Sequence, residues 1–480
     1  MSSRRDVLRL AELLASAPTV SYREHEVFAR IRSELQRYGI PYATDRWGNL
    51  LARYRGKRVR GRSVAFTAHA DHPGLIVTAC NRRRAEARWL GGVQVHYFKG
   101  ARVRIETEEG PVRGRVRRAI LGANKRVAAV KLDVERAVPV GSIGGWDLIP
   151  YRLDPPWIRT KSADDLLGCA GVLSLMKQLA ATQPGIEVWA GFTRAEEDGL
   201  LGATALAEAG TLPKETAIVV LETSKQLPCG QLGKGVIVRV GDRMSVYDPG
   251  ICQGLHDAAE ELSKRHRSFR YQRCLMDGGV CEATTFQSFG YRAGGLALPL
   301  DNYHNMGPRA IREEVVHQDD YWNLARLLPV AAEKIATAKD GLADLRGRFR
   351  KRLKAARRDL IRTRGLGPAG GASKTMKAGG KTSRTKTTAA SKRGARSKPV
   401  GKAGPLSAGL LLCLLAAGST LAAPQFDKED LSPGSITKPT DLSSQSFTPR
   451  PQQTDARYAY DALHYDLFVS LDVELSLIHI

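Results

Sequence analysis

Long apolar runs, CxxC pairs and a regular cysteine framework are all missing from this 480-residue chain. The apolar run at 410–418 is too short for a comfortable membrane span, and the first 18 residues lack the apolar core of a signal peptide. The seven cysteines are scattered and odd in number, which argues against a disulfide scaffold and a thiolate zinc site. We therefore expect a cytoplasmic protein with reduced cysteines.

Acidic residues are almost absent from one segment, and that absence explains the charge of the chain. Residues 346–402 contain 20 Lys and Arg and one acid, Asp359, so they carry +19 of the net +25. The segment to residue 404 has few large apolar side chains and is predicted to be disordered. It also lacks interleaved aromatic residues, so any nucleic-acid binding there would be nonspecific contact with phosphate.

Residues 405–480 do not continue the pattern of the rest of the chain. Lysines, a short apolar run at 410–418 and small residues follow one another as in a secretory signal peptide. A signal peptide has no role in the middle of a chain. We interpret 405–480 as a fusion or assembly artefact; the alternative is a genuine tail anchor or accessory segment.

The first 345 residues alternate strand-like and helix-like segments. Apolar runs at 63–71, 186–193, 217–222 and 295–300 are typical of strands that are covered on both faces. Helical patterns cover 23–38, 165–181, 250–267 and 312–337, the last with a break at Pro329. This alternation predicts an α/β fold, a three-layer sandwich with a mostly parallel sheet.

One long segment inside this region has a different pattern. Residues 81–159 contain short β-like runs separated by glycines and no convincing amphipathic helix. We predict an inserted β-rich domain, a small barrel that serves oligomerisation or substrate access. The catalytic domain would then comprise residues 1–80 and 160–345.

Histidines and carboxylates follow the predicted strands, where ligand sites of open α/β sheets gather. His69 ends the first strong strand, and Asp71 could fix the other nitrogen of its ring. Asp164 and Asp165 begin a helix, and the bland alternative is that they cap it. We predict that His69 binds a metal and that Asp164 bridges two metals.

Three further acids and one histidine complete the candidate site. Glu196 and Glu197 directly follow the strand at 186–193, Glu222 ends the strand at 217–222, and His304 follows the strand at 295–300. Each residue alone could equally be an exposed surface residue. Their order, each at a strand exit, predicts Glu222 and His304 as metal ligands. Of the neighbours Glu196 and Glu197, one can bind a metal while the other faces the water.

Five motifs resemble the tetrahedral, deblocking aminopeptidases of the cocatalytic metallopeptidases, the glutamyl aminopeptidase-like family. The likeness covers residues 5–340 and rests on these segments: PTVSYREHEV (18–27), DRWGNL (45–50), HADHPGLIV (69–77), ADDLLGCAG (163–171) and AEEDGLLGA (195–203). Departures from the family pattern are His72-Pro73, Leu166, Glu222 in place of Asp, Cys281-Glu282 and the sequence around His304. The chain is similar to a divergent member.

The resemblance implies an activity, a cofactor and an assembly. It implies a metallo-aminopeptidase that uses two divalent ions, Zn(II) or Co(II), with Glu196 as the general base and Glu197 as a ligand. It also implies a homo-oligomer and peptide substrates. Two alternatives stay open: an N-acyl amino acid deacylase or carboxypeptidase-like hydrolase of the same superfamily, and a nonspecific nucleic-acid-binding protein that acts through the basic segment.

Overall fold

The structure is a computed structural model that describes residues 3–338 and 342–364. The predictions for residues 365–480, which include most of the basic segment and the signal-peptide-like segment, lie outside the described residues. Within the described ranges the chain forms helices and strands in the alternating order that the sequence predicts.

The described helices differ in length and burial, and five of them pack against one face of the main sheet. They are α1 (Arg4–Ala15), α2 (His25–Arg37), α3 (Ala163–Thr182), α4 (Leu201–Glu208), α5 (Pro249–Arg265), α6 (Glu282–Ser288), α7 (Gln318–Thr337) and α8 (Ala343–Thr363).

Strands belong to a main sheet, a barrel and a small third sheet. They are β1 (Tyr42–Thr44), β2 (Leu50–Arg55), β3 (Val64–His69), β4 (Gly74–Asn81), β5 (Arg84–Leu90), β6 (Arg102–Ile105), β7 (Val112–Leu121), β8 (Val127–Val134), β9 (Ile143–Trp146), β10 (Tyr151–Asp154), β11 (Trp157–Thr160), β12 (Glu187–Thr193), β13 (Ala217–Lys225), β14 (Val236–Asp242), β15 (Tyr271–Met276), β16 (Arg292–Leu300) and β17 (Glu314–His317).

The main sheet has eight strands in the order β1-β2-β12-β3-β13-β16-β14-β15. Its centre is parallel, because β3 pairs in parallel with both β12 and β13, and β13 pairs in parallel with β16. Alternate residues of β3 enter different cores: Phe66 faces the side of α1, α3 and α7, and Ala65 faces the side of α4 and α6. The predicted three-layer sandwich is therefore confirmed.

The inserted segment forms a closed barrel of six strands in the order β4-β5-β8-β7-β6-β9. Its interior is apolar. The ring of Trp89 lies 4.7 Å from the ring of Phe98 and 4.6 Å from the ring of Trp146, measured between ring centres. The barrel spans residues 74–146, so it begins before the predicted 81–159. The last part of that range lies outside the barrel: β10 pairs with β11, and β11 pairs with β17, in a separate three-stranded sheet.

Two local predictions are wrong. Residues 314–317, expected to be helical, form β17, and α7 continues through Pro329 without a break. Proline removes one backbone hydrogen bond in a helix interior. Leu328, Ala331 and Ala332 are fully buried around it, and this packing keeps the helix continuous.

Cysteine usage also differs from the expectation of reduced cysteines, because Cys229 and Cys274 form a disulfide. Cys80, Cys169, Cys252 and Cys281 are free, and Cys413 lies outside the described residues. The two bonded cysteines are 45 residues apart, so no local spacing pattern indicated the pair.

The final described element, α8, covers residues for which the sequence predicts disorder. Residues 346–363 are helical and exposed. Alanine, leucine, arginine and lysine, which dominate this segment, are strong helix formers, and the prediction gave their propensity too little weight. None of the helices in the described ranges has an apolar stretch long enough to span a bilayer.

Candidate metal centre

The predicted site residues converge at one edge of the main sheet. His69 ends β3, Glu222 lies near the end of β13, and His304 follows β16 by four residues. Glu196 and Glu197 follow β12 by three and four residues. Because β12, β3, β13 and β16 are parallel neighbours, their carboxyl ends lie side by side.

Five of these residues form two groups that share Asp164. The first group contains His69, Asp164 and Glu222; His69 Nε2 is 3.2 Å from Asp164 Oδ1 and 3.6 Å from Glu222 Oε1. The second contains Asp164, Glu197 and His304; His304 Nε2 is 3.6 Å from Asp164 Oδ2 and 3.1 Å from Glu197 Oε1. The ligand atoms of each group all lie within 4.8 Å of one another.

Both histidines present Nε2 to the shared carboxylate because Nδ1 is occupied elsewhere. His304 Nδ1 donates to the carbonyl of Gly92, 2.8 Å away on the loop after β5 of the barrel. His69 Nδ1 lies 3.2 Å from the carbonyl and 3.5 Å from the Oδ1 of Asp71. Such partners set the tautomer and direction of a metal-binding imidazole.

Asp71 also holds the backbone that carries the two glutamates. Its carboxylate accepts from the backbone N–H of Glu196 at 2.9 Å and of Glu197 at 3.1 Å, and from Ser21 Oγ at 2.6 Å. Burial raises the pKa of Asp71, but His69 and Ser21 lower it by more, so the carboxylate is ionised. One side chain thereby couples the exit of β3 to the exit of β12.

The electrostatics of the cluster favour cations. Burial raises the pKa of Glu222 to about 7, and the charge of Asp164 adds to this rise. Burial lowers the pKa of His69, but Glu196, Asp164 and the other nearby acids raise it well above its usual value. Glu222 Oε2 is buried without a hydrogen-bond partner in the described part of the chain. Nitrogen and oxygen donors around a negative, buried centre fit divalent metal ions.

Glu196 lies beside these groups and is half-buried. Its pKa is raised well above the usual value, first by burial and then by the nearby carboxylates of Glu222, Glu197 and Asp71, against the opposing effect of His69. A carboxylate that readily accepts a proton at the mouth of the cluster can act as a general base.

Glu314, at the start of β17, was missed by sequence reasoning. It is fully buried, and its Oε2 accepts from the backbone N–H groups of Ala163 at 2.7 Å and Asp164 at 3.1 Å. Its Oε1 accepts from the backbone N–H of His304 at 2.9 Å. Glu314 therefore fixes the backbone of Asp164, which belongs to both groups, and the backbone of His304, which belongs to the second group.

Glu24 has a comparable role on the other side of the cluster. It is 1% exposed, accepts from the backbone N–H of Ala195 at 3.0 Å, and binds the Arg194 guanidinium at 2.7 Å. It thereby orients the turn that leads to Glu196. Glu24 lies in the first of the five motifs, but a single acid near a helix start gave no specific signal for this role.

The departures from the family pattern surround the cluster without removing a predicted residue. His72 is buried behind Asp164; its Nδ1 donates to the Asp164 carbonyl at 2.6 Å and its Nε2 faces Asn305 Oδ1 at 3.1 Å. Burial lowers the pKa of His72 to about 4. Glu282 is 1% exposed, and burial raises its pKa to about 7.

The three-layer α/β fold with its inserted barrel, together with the clustered histidines and carboxylates, fits a metal-dependent peptidase. A family model for the M42 glutamyl aminopeptidases matches residues 48–327, which is more than half of the 480-residue chain. The chain belongs to this family and is a peptidase.

Solved structures of archaeal aminopeptidases share the fold. The TET1 peptidase of Pyrococcus horikoshii, described as assembling into a tetrahedron or a large octahedral shell, is 21% identical with a TM-score of 0.56, over 68% of this chain and 99% of that chain. A TET aminopeptidase from a marine-sediment Thaumarchaeota archaeon is 19% identical with a TM-score of 0.59 (70% and 99%). An aminopeptidase from Desulfurococcus kamchatkensis is 22% identical with a TM-score of 0.58 (70% and 98%).

Proposed function

We propose that the protein is a two-metal aminopeptidase that removes N-terminal residues from peptides. The observation that carries the proposal is the pair of three-residue groups that share Asp164, with Glu196 beside them. In this proposal His69 and Glu222 would hold one ion, Glu197 and His304 would hold the other, and Asp164 would serve both as a shared ligand. The ligand types suit Zn(II) or Co(II).

The ions would activate water and polarise the scissile carbonyl. The chain itself supplies the proton transfers. Glu196 accepts a proton from the attacking water, and its raised pKa lets it hold that proton and then deliver it to the leaving amine. Asp71 keeps Glu196 in place through the backbone hydrogen bond at 2.9 Å.

Replacement of the base tests this mechanism. Glu196→Gln keeps the size of the side chain but cannot accept the proton, so we expect unchanged metal content and a loss of kcat of about 10²–10⁴-fold. Glu208→Gln, an exposed position on α4, is the matched control and should keep full activity. Full activity of Glu196→Gln would reject the assignment of the base.

The position of the insertions favours an aminopeptidase over a deacylase or a carboxypeptidase-like hydrolase. The barrel lies between His69 and Asp164, whereas the interval from Glu222 to His304 contains only elements of the main sheet and its flanking helices, with no separate lid. Peptides with free and with acylated N-termini distinguish the two activities. Faster hydrolysis of the acylated peptides would favour the deacylase.

A buried cation beside the cluster supports a preference for acidic N-terminal residues. Arg239 is 2% exposed and lines a small cavity with Glu222, Lys225 and Tyr303. Its guanidinium donates to Ser224 Oγ at 3.2 Å and to Gly241 O at 3.4 Å, and within the described ranges it forms no ion pair. Against the opposing effect of burial, the charges of Glu222 and Asp242 raise the pKa of Arg239 from a longer distance. A buried guanidinium without a contacting anion can bind a substrate carboxylate through two parallel hydrogen bonds, that is, as a bidentate pair. This agrees with the glutamyl activity in the family's description.

The preference is tested by the ratio of kcat/KM for glutamyl and leucyl substrates. Arg239→Gln should lower that ratio by at least about tenfold, because a charge-assisted pair contributes about 1.5–3 kcal/mol. Arg243→Gln, at an exposed position near the end of β14, is the control. A ratio unchanged by Arg239→Gln would remove the basis for the acidic preference, but not for the peptidase.

Assembly, location and the nucleic-acid alternative remain predictions. Solved structures with this fold are described as dodecamers, tetrahedra and octahedral shells, which favours a homo-oligomer built partly through the barrel. A cytoplasmic location follows only from the sequence. Removal of residues 346–480 separates the functions: peptidase activity should remain, and any nucleic-acid affinity should disappear.

A further inference from the structure

Helix α8 is strongly basic along its whole length. Between residues 343 and 363 it carries nine Lys and Arg and two Asp, a net charge of 9 − 2 = +7. Residues 346–364 are all exposed, in contrast to the other long helices, which bury one side against the main sheet. The peptidase site does not use this helix.

An apolar stripe runs along one side of α8. The stripe consists of Leu345, Phe349, Leu353, Ala356 and Leu360, spaced by four, four, three and four residues. At 3.6 residues per turn these positions fall on one face of the helix. Phe349, Leu353 and Leu360 are 57%, 55% and 57% exposed. Ile361 is equally exposed but lies on another face, among the cations.

The combination of high positive charge and an apolar stripe argues against two kinds of partner, a second copy of α8 and nucleic acid. A second copy of α8 would meet the same +7 charge and be repelled. Nucleic acid would neutralise the arginines and lysines but leave the leucines and the phenylalanine in water, because binding to the phosphate backbone needs no aliphatic stripe. A partner that binds both the cations and the apolar stripe of α8 must have anionic groups at its surface and an apolar layer directly below them. The headgroup and acyl boundary of an anionic bilayer has both properties.

We propose that α8 lies in the surface of membranes rich in anionic phospholipid and holds the peptidase domain there. The stripe would enter the acyl boundary, and the long arginine and lysine side chains would reach back to the phosphates. The helix is about 30 Å long at about 1.5 Å per residue, so it presents several turns to the surface. It lies on the membrane and does not cross it.

The test uses the full chain and lipid vesicles of defined composition. Co-sedimentation is measured with vesicles of phosphatidylcholine alone and with vesicles that contain phosphatidylglycerol. We expect binding only to the anionic vesicles. The triple variant Phe349→Gln, Leu353→Gln, Leu360→Gln keeps the charge and should weaken this binding by at least about tenfold, since each lost side chain forfeits apolar burial.

Ile361→Gln is the matched control, because it removes an equally exposed apolar side chain from outside the stripe. It should change vesicle binding less than twofold, and equal thermal unfolding midpoints would show that all variants fold. Fluorescent duplex DNA should bind wild type and triple variant alike. Absence of binding to anionic vesicles, or equal binding by the triple variant and wild type, would overturn the proposal. Tighter binding to DNA that is lost in the triple variant would overturn it in favour of nucleic acid.

Discussion

The candidate metal centre and the barrel are both rich in charge, but they hold it in opposite surroundings. At the centre, His69, Asp164, Glu197 and His304 have side chains no more than 6% exposed, and each lies within 4 Å of at least one of the others. On the barrel, the arginines of β7 point into water, among them Arg113, Arg115, Arg117 and Arg118. Water screens the barrel charges almost completely, whereas the buried charges act on one another strongly.

The difference teaches where a charged residue can be exchanged. An exposed ion pair on the barrel contributes little, and its loss is absorbed by solvent. A buried acid at the centre has no solvent to replace its partners, so its loss affects every group that it holds. The barrel depends instead on its apolar interior, and Gly92, on the loop after β5, links it to His304 of the centre.

The largest expected effect tests the interior of the barrel. Trp146 is 1% exposed and packs against Trp89 and Phe98, so Trp146→Ala should lower the free energy of unfolding by about 3–5 kcal/mol. Denaturation by urea measures this change. Trp47→Ala, at a position 48% exposed, should cost much less. Similar losses for the two variants would mean that the barrel interior does not carry its stability.

Glu314→Gln sharpens the comparison at the metal centre. The carboxylate accepts backbone N–H groups at both oxygens, and a Gln amide would direct its own N–H₂ at one of them. We expect a loss of metal affinity or activity of about 10–100-fold, as for other groups that orient metal ligands. Glu313→Gln, one residue earlier, is the control. If both variants bound metal as wild type does, Glu314 would have no role in positioning Asp164 and His304.

A smaller effect is expected at Asp248, whose exposure lies between that of the buried acids at the centre and that of the exposed charges on the barrel. It caps α5 through the N–H of Ile251 at 2.9 Å and pairs with Arg292 at 2.9 Å. Asp248→Ala should cost about 1 kcal/mol near neutral pH, with Asp277→Asn, at an exposed position, as the control.

The pH dependence of this effect has a defined sign. Burial raises the pKa of Asp248, but hydrogen bonds from Arg292 and Ile251 lower it by more, so the pKa in the folded protein is below the ordinary value of 3.8. The stabilisation is therefore present above pH 3.8 and is lost as the pH falls through the lower pKa of the folded state. The difference between wild type and Asp248→Ala should shrink in acid; a constant difference would contradict the ionic contribution.

The smallest effect is expected for an exposed ion pair on the barrel. Arg84 and Asp133 face each other across β5 and β8 with side chains 60% and 51% exposed. Asp133→Asn should change the free energy of unfolding by at most about 0.5 kcal/mol. A loss of unfolding free energy above about 2 kcal/mol would contradict the conclusion that exposed charges on the barrel contribute little to stability.

Much of the site could be predicted because its residues follow apolar strands. His69, Glu196 and Glu222 stand out after long buried runs, and parallel strands bring such positions to one edge. Glu314 could not be recognised, since β17 is four residues long and its sequence resembled the start of a helix. The barrel boundary was missed for a related reason: β4 continues the apolar pattern after His69, and only pairing assigns it to the barrel.

The sequence by itself determined the alternation of strands and helices, the β-rich insertion, and the types of side chain at the strand exits, because these depend on local apolar periodicity and chain order. Only the tertiary structure decided which oxygen faces which nitrogen. Asp164 reaches both histidines, Glu314 holds two distant backbones, and Gly92 directs His304 from the barrel. Such contacts join residues up to about two hundred positions apart, and strand register and layer packing, which no local pattern encodes, bring them within reach.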